Sequence, residues 1–248
     1  MTETADLDAL LAHARALVGV ELGELADALG LPVPVGRVRT KGWSGQVIEH
    51  ELGVAVAGTR GPDFAALGIE LKTVPVTPDL VPLESTAVCQ IDPIAIAGES
   101  WDSSYVRAKL ARVLFVALAV PEGARSRGRS WAPPSGVRRG RAREPSQGSR
   151  AYSIGERQVA AVRLWSPNAA EEAALRADFE LFARDYYRRG RAAEITGHLG
   201  AVLQVRPKGR DAADLRDAYD AAGRPTRVGK HGFYLRPAFV ARILTTPC

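Results

Sequence analysis

Asp63, Glu70 and Lys72 have the side-chain types and the spacing needed to cleave a phosphodiester with the help of a metal ion. They fall in the stretch Asp63-Phe-Ala-Ala-Leu-Gly-Ile-Glu70-Leu71-Lys72, an Asp-x6-Glu-x-Lys pattern. Ile69, Leu71 and Val74 are apolar and Gly68 precedes them, which predicts a strand over 69–76 entered through a turn. Strand side chains alternate faces, so Glu70 and Lys72 point the same way. Asp63 lies in the turn Gly61-Pro62-Asp63 and folds back toward that face. Two carboxylates there would hold a hard divalent cation through oxygen, and the ammonium would stand beside the water that attacks phosphorus. An acid and a base two apart on a strand are more often its solvated face. The pattern alone is therefore a hypothesis that the rest of the chain must support.

The elements that position these residues follow from periodicity. Leu7, Leu10, Leu11, Ala14, Leu17 and Val18 predict one helix, and Leu22, Leu25, Ala26 and Leu29 a second. Leu31-Pro-Val-Pro ends that pair, and His13 is expected at the surface of the first helix. A third helix opens at Lys41-Gly-Trp-Ser44 with Ser44 as N-cap, runs to about Leu52 and carries Glu49. A strand is expected over 86–91 and a helix over 102–112, carrying Tyr105, Lys109 and Arg112. The run Val113–Val120 reads as a strand buried on both faces. Residues 121–155, rich in Pro, Gly, Ser and Arg, are expected to be a disordered insertion within a single two-lobed domain spanning 1–248. A strand over 158–164 resumes the fold. Ser166-Pro167-Asn168 starts a helix, with Pro167 at its first position and Leu175, Phe179, Phe182 and Tyr186 facing the core. A strand over 201–206, a short helix over 211–221, the segment His231–Leu235 and a last helix complete the chain.

Charge sharpens the picture. The 248 residues carry a formal net charge of +5, but residues 124–150 hold eight arginines and one acid, Glu144, leaving the remainder slightly acidic. Any nucleic-acid contact by the globular part must then come from individually placed residues, with the Arg-rich segment as an electrostatic tether. Only five of the 33 basic residues are lysine: Lys41, Lys72, Lys109, Lys208 and Lys230. Lysine is kept where a compact ammonium matters. The two cysteines, Cys89 and Cys248, form no disulfide framework, and Cys89 reads as a buried small hydrophobe. The scattered His and Cys residues make no zinc site, and there is no Walker loop. No run of eighteen apolar residues predicts a membrane span, and the acidic N-terminus does not look like a signal for export, so a cytoplasmic location is expected.

Seven blocks now fall into line together: Lys41-Gly-Trp; Glu49; Asp63 through Lys72-Thr; Trp101 through Lys109-Leu; Leu164-Trp-Ser-Pro-Asn168; Gln204-Val-Arg206-Pro-Lys208; and Gly232-Phe-Tyr234-Leu. In this order, over roughly residues 5–244, the chain resembles the MutH family, the strand-discriminating endonucleases of methyl-directed mismatch repair. The resemblance implies a mixed α/β, restriction-endonuclease-like fold: a central mixed sheet flanked by helices, with two arms around a DNA cleft. It implies Mg²⁺-dependent incision, with Mn²⁺ able to substitute, of the unmethylated strand at hemimethylated GATC in double-stranded DNA. It further implies activation by MutL after mismatch detection by MutS.

By the same resemblance, Asp63 and Glu70 match the metal ligands, with the Leu71 carbonyl as a further one, and Lys72 matches the catalytic lysine. Glu49 matches a helix carboxylate near the metal, and Lys109 a second lysine of the active site. Arg206, Lys208 and Tyr234 match base-reading positions, and Lys41 a phosphate contact. Arginine and lysine suit the N7 and O6 acceptors of guanine, and a tyrosine against adenine senses a methyl group on N6. The bland readings are a basic strand end, a strand tyrosine and a solvated helix carboxylate. One copy of the motif implies a monomer that cuts one strand per encounter. A restriction-type enzyme cutting both strands of unmethylated GATC, and a DNA-binding module without catalysis, are the alternatives. The Arg-rich segment departs from the family pattern, and so does the short stretch after Leu244.

Overall fold

Helices α1 (Glu3–Ala16), α2 (Leu22–Ala28) and α3 (Trp43–Glu51) precede strands β1 (Glu70–Val76) and β2 (Thr86–Gln90). Then come α4 (Tyr105–Leu110), β3 (Val113–Ala119), β4 (Gln158–Trp165), α5 (Ala169–Glu180), β5 (Leu203–Pro207), β6 (Leu215–Tyr219), β7 (Pro225–Gly229), β8 (His231–Leu235) and α6 (Pro237–Thr245). This computed structural model describes residues 3–34, 40, 42–54, 61–122, 152–211 and 213–246. Lys41, Cys248 and the Arg-rich 124–150 stretch lie outside the described residues.

The expected central sheet is divided into three small ones. β1, β3 and β4 form a mixed sheet in which β3 pairs parallel with β1 and antiparallel with β4. β2, β8 and β5 form an antiparallel sheet in that order, and β6 and β7 form a hairpin. Every residue of β3 except Ala119 is buried, so the apolar run is a strand covered on both faces. Alternation then assigns its two faces to two cores. Leu114, Val116 and Leu118 pack with α1, α2 and α3, while Val113, Phe115 and Ala117 pack with α5, α6 and the β2–β8–β5 sheet.

That division orients the candidate catalytic strand. In β1, Leu71 joins the core of the N-terminal helices, whereas Val74 and Val76 join the other. Glu70 and Lys72 share the face of Val74 and Val76 by alternation, and they pair in register with Val113 and Phe115. Both charged side chains therefore point toward the side on which the second sheet lies.

Several local expectations are corrected. Gly42, in the left-handed region at φ 83°, is the N-cap of α3, and Ser44 is buried inside the helix. The 102–112 helix is a 3₁₀ turn, Trp101–Ser103, followed by the shorter α4. Ser104 separates them with extended backbone, and its hydroxyl accepts the Arg107 N–H at 3.1 Å as the true cap. Asn168 is the N-cap of α5 and Ala169 its first residue, so Pro167 is not the first helical position. The side chains of Asn168 and Glu171 exchange bonds with each other's backbone N–H in a capping box, leaving Pro167 just before the cap. Leu175, Phe179 and Phe182 face the core as expected, but Leu181–Tyr187 is a π-helical turn. Its extra residue per turn rotates the stripe, so that Tyr187 is buried and Tyr186 is only partly so. The end of the 121–155 insertion is set too late, because Ser153 and Glu156 form a capping box around a 3₁₀ turn over Ile154–Glu156.

The described residues of 211–221 form no helix; the β6–β7 hairpin begins there instead. Asp220 Oδ1 accepts the N–H groups of Ala222 and Arg224, both at 2.9 Å, and Gly223 adopts φ 75°. That turn chemistry outweighs the helix preference of the surrounding alanines. His13 is exposed as expected and meets Glu51 at 2.9 Å. Cys89 is buried.

Candidate active site

The six residues between Asp63 and Glu70 close a loop. Phe64 and Ile69 exchange both backbone hydrogen bonds, at 2.8 and 3.2 Å, around the 3₁₀ turn Ala65–Leu67. Gly68 sits at φ 62°, a conformation glycine adopts without steric cost. The closed loop returns the chain on itself, and Asp63 Oδ2 accepts the Leu71 N–H at 2.8 Å. The spacing of the motif is thus the length of the loop needed to set one carboxylate against the strand that carries the other.

Glu70 is 3% exposed, and each of its oxygens is held by an ammonium. Lys72 Nζ donates to Oε1 and Lys109 Nζ to Oε2, each at 2.6 Å. Lys109 comes from the last turn of α4, also donates to the Gly61 carbonyl at 2.8 Å, and lies 5.5 Å from the centre of the Tyr105 ring. Burial pulls the Lys109 ammonium down. The hydrogen bond and charge of Glu70, helped by Tyr105 and Asp63, outweigh it and hold Lys109 above its ordinary value.

Glu49 is half-buried on α3, which packs against β1. Burial pushes its carboxyl above the usual range, and the charges of Asp63 and Glu70 add to the rise while Lys72 opposes it. A Cβ on Gly45 would stand 3.6 Å from Glu49 Oε1 and 3.7 Å from Thr73 Oγ1, so the carboxylate sits between its own helix and β1. Among the described residues no three His, Cys, Asp or Glu side chains are gathered into a ready metal cage. Asp63 and Glu70 nevertheless supply hard oxygens, and the charges of both reach Glu49 and Lys109. That donor set fits a divalent cation of the magnesium type.

The second group of candidates lies on the β2–β8–β5 sheet. Gln204 pairs in register with Tyr234, and Arg206 with Gly232, so Gln204, Arg206 and Tyr234 share one face. Lys208 joins them where β5 ends. A Cβ on Gly232 would come within 2.8 Å of Lys208 Cδ, 2.9 Å of the Cys89 carbonyl oxygen and 3.3 Å of Tyr234 Cε2. The missing side chain is therefore what lets Lys208 and Tyr234 lie side by side. Tyr234 is half-buried, which raises its phenol; Arg206 opposes the rise and Glu84 adds to it. The sequence reading missed Ser85. Its hydroxyl accepts from Gln204 Nε2 at 2.7 Å and from Arg206 Nη1 at 2.9 Å. No motif marks a lone serine that meets its partners about 120 residues away.

Lysines of both groups act on Cys89. Burial pushes the Cys89 thiol up to about 11, while the ammoniums of Lys208, Lys72 and Lys109 all act to lower it. One buried sulfur thus lies within electrostatic reach of both clusters.

A restriction-endonuclease-like fold with Glu70 and Lys72 on an edge strand, Asp63 folded against it, and a basic, tyrosine-bearing sheet beside them defines a DNA endonuclease, a hydrolase acting on DNA. The family model described as DNA mismatch repair enzyme MutH matches residues 52–129. Whole-chain relatives agree with it. The DNA mismatch repair protein MutH of Vibrio cholerae serotype O1 (strain M66-2) is 37% identical over 235 residues, 95% of this chain and 93% of the relative. The proteins of that name from Pectobacterium atrosepticum and Haemophilus ducreyi are 37% and 38% identical over 95% of this chain, covering 90% and 91% of their own lengths. The chain belongs to the MutH family of DNA mismatch repair endonucleases. Among the described residues no helix is long and apolar enough to cross a membrane.

Proposed function

We propose that this protein is a Mg²⁺-dependent endonuclease that nicks the unmethylated strand of hemimethylated GATC sites during mismatch repair. The observation that carries the reading is the meeting of Asp63, Glu70 and Lys72 at the start of β1, where the closed 64–69 loop sets one carboxylate against the other's strand. Asp63, Glu70 and the Leu71 carbonyl would hold the ion, with Glu49 beside it. Bound there, the ion supplies charge neutralisation at the phosphoryl oxygens and acidifies water. Lys72 orients the attacking water and takes part in moving its proton. Lys109 holds Glu70 and the Gly61 carbonyl, fixing the loop that carries Asp63 relative to the strand.

Recognition belongs to the second sheet. Arg206 and Lys208 read guanine through its major-groove acceptors, Tyr234 senses the N6 position of adenine, and Lys41 contacts a phosphate. The chain acts as a monomer and a single two-lobed domain, its lobes on either side of β3. One catalytic strand then cuts one DNA strand per encounter. MutL activates it, after MutS has found the mismatch, in the cytoplasm.

A supercoiled plasmid carrying one hemimethylated GATC tests the reading. Nicked circles formed only with Mg²⁺ support it. Linear product from unmethylated plasmid alone would indicate a restriction-type enzyme. Binding without any cutting, with and without MutL, would indicate a module that only binds DNA.

A further inference from the structure

We propose that Ser85 is a positioning residue for sequence recognition, whose hydroxyl fixes the Arg206 guanidinium in the orientation that reads a base. The inference rests on the reading of Arg206 as a base contact. Its basis is a two-donor junction. Ser85 Oγ accepts from the Gln204 amide at 2.7 Å and from Arg206 Nη1 at 2.9 Å, which occupies both of the lone pairs a hydroxyl offers.

The junction is anchored on its inner side and open on its outer side. Gln204 is 3% exposed, so its amide is a fixed point, while Arg206 is exposed. Ser85 itself immediately precedes β2, whose Thr86 and Ala87 pair with Leu235 and Tyr234 of β8. β8 in turn pairs with β5, where Tyr234 lies opposite Gln204. One hydroxyl thus ties the first residue before β2 to two side chains of β5, across the strand that carries Tyr234. All three strands contribute to the same reading face.

The physical consequence concerns the arginine. A free arginine spreads over many rotamers, and holding one in place carries an entropic cost. Among the described residues Arg206 is engaged through Nη1 alone, so the rest of its planar fork is directed while still able to form the paired hydrogen bonds that guanine accepts. Pre-ordering this side chain raises affinity for the matched base and adds nothing at a mismatched one. Loss of Ser85 should therefore appear as lost discrimination, with general DNA affinity unchanged.

The test measures binding to a GATC duplex and to duplexes with the guanine replaced, with Ca²⁺ in place of Mg²⁺, for wild type and for Ser85→Ala, Ser85→Thr, Arg206→Ala and the Ser85→Ala/Arg206→Ala pair. Ser85→Ala is expected to reduce the preference for GATC by roughly tenfold, within the range of one paired base contact. Affinity for the replaced duplexes and its salt dependence should stay at wild-type values, while the melting temperature falls by a few degrees, roughly the loss expected when the buried Gln204 amide loses its acceptor. Ser85→Thr, which keeps the hydroxyl, should retain the preference. The double variant should lose no more than Arg206→Ala alone, because the serine acts through the arginine. If Ser85→Ala keeps the wild-type preference while Arg206→Ala loses it, the proposal is overturned and the base-reading role of Arg206 stands. If Arg206→Ala also keeps the preference, that role fails and the proposal fails with it. Equal weakening on all duplexes, measured at a temperature where every variant is folded, would make Ser85 a structural residue and overturn the proposal.

Discussion

Lys109 Nζ donates to Glu70 Oε2 at 2.6 Å, with both side chains almost wholly buried. With Lys72 on the other oxygen, a carboxylate proposed to hold a divalent cation is fully engaged by ammonium groups. The lysines supply the positive charge that a buried carboxylate needs, and an arriving cation must compete with at least one of them.

That competition makes Lys109→Met informative. Removing one partner of a buried pair leaves charge uncompensated, so the variant should lose stability by roughly 1–3 kcal/mol, with Lys72 limiting the damage. Mg²⁺ or Mn²⁺ should restore more of the melting temperature in the variant than it adds to wild type, because the ion fills the vacated charge. Incision should fall, since the loop carrying Asp63 loses its tie at the Gly61 carbonyl. Metal titrations followed by thermal melting check this; a metal response smaller than that of wild type would show that Lys109 assists the ion.

Gly232→Ala should damage recognition more than catalysis. The added Cβ would meet Lys208 Cδ at 2.8 Å and a backbone oxygen at 2.9 Å, so the lysine and the neighbouring tyrosine must shift. Overpacking of this kind costs about 1–3 kcal/mol of stability. The expected outcome is a smaller ratio of specific to nonspecific DNA affinity, measured at a temperature where the variant is still folded. An unchanged ratio would separate Lys208 and Tyr234 from base reading.

Much of the site is legible in the sequence because it is local. The Asp63–Lys72 spacing, the alternation that puts Glu70 and Lys72 on one face, and the apolar run that becomes β3 are all expressed within ten residues. What is hidden depends on contacts between distant segments or on backbone detail. Ser85 meets Gln204 and Arg206 only after β2 and β5 are brought to opposite sides of β8. Lys109 reaches Glu70 only because α4 leads into β3, the neighbour of β1. The alanines around Asp220 favour a helix, yet the Asp220–Gly223 turn and strand pairing prevail. The π-helical turn over Leu181–Tyr187 shifts a stripe that periodicity alone carries on to Tyr186. Gly42 in the left-handed region takes the capping place that residue type suggests for Ser44.

The charge of the 124–150 segment leads to a prediction of its own. Deleting these residues removes eight arginines and one glutamate. Nonspecific DNA affinity should drop and its dependence on salt should flatten, because fewer counterions are released on binding. Preference for GATC should survive. Binding isotherms at several salt concentrations check this, and a collapse of sequence preference would make the segment a reader of sequence.

The central claim is tested most directly by mapping which strand is cut. Each strand of a hemimethylated GATC duplex is labelled in turn and incubated with Mg²⁺, with MutL present and absent, using wild type and Lys72→Ala. The account predicts product from the unmethylated strand only, and a Lys72→Ala variant that binds the duplex but cuts it at least a hundredfold more slowly, the scale of a general acid–base contribution. Equal cutting of both strands, or wild-type rates in Lys72→Ala, would contradict it.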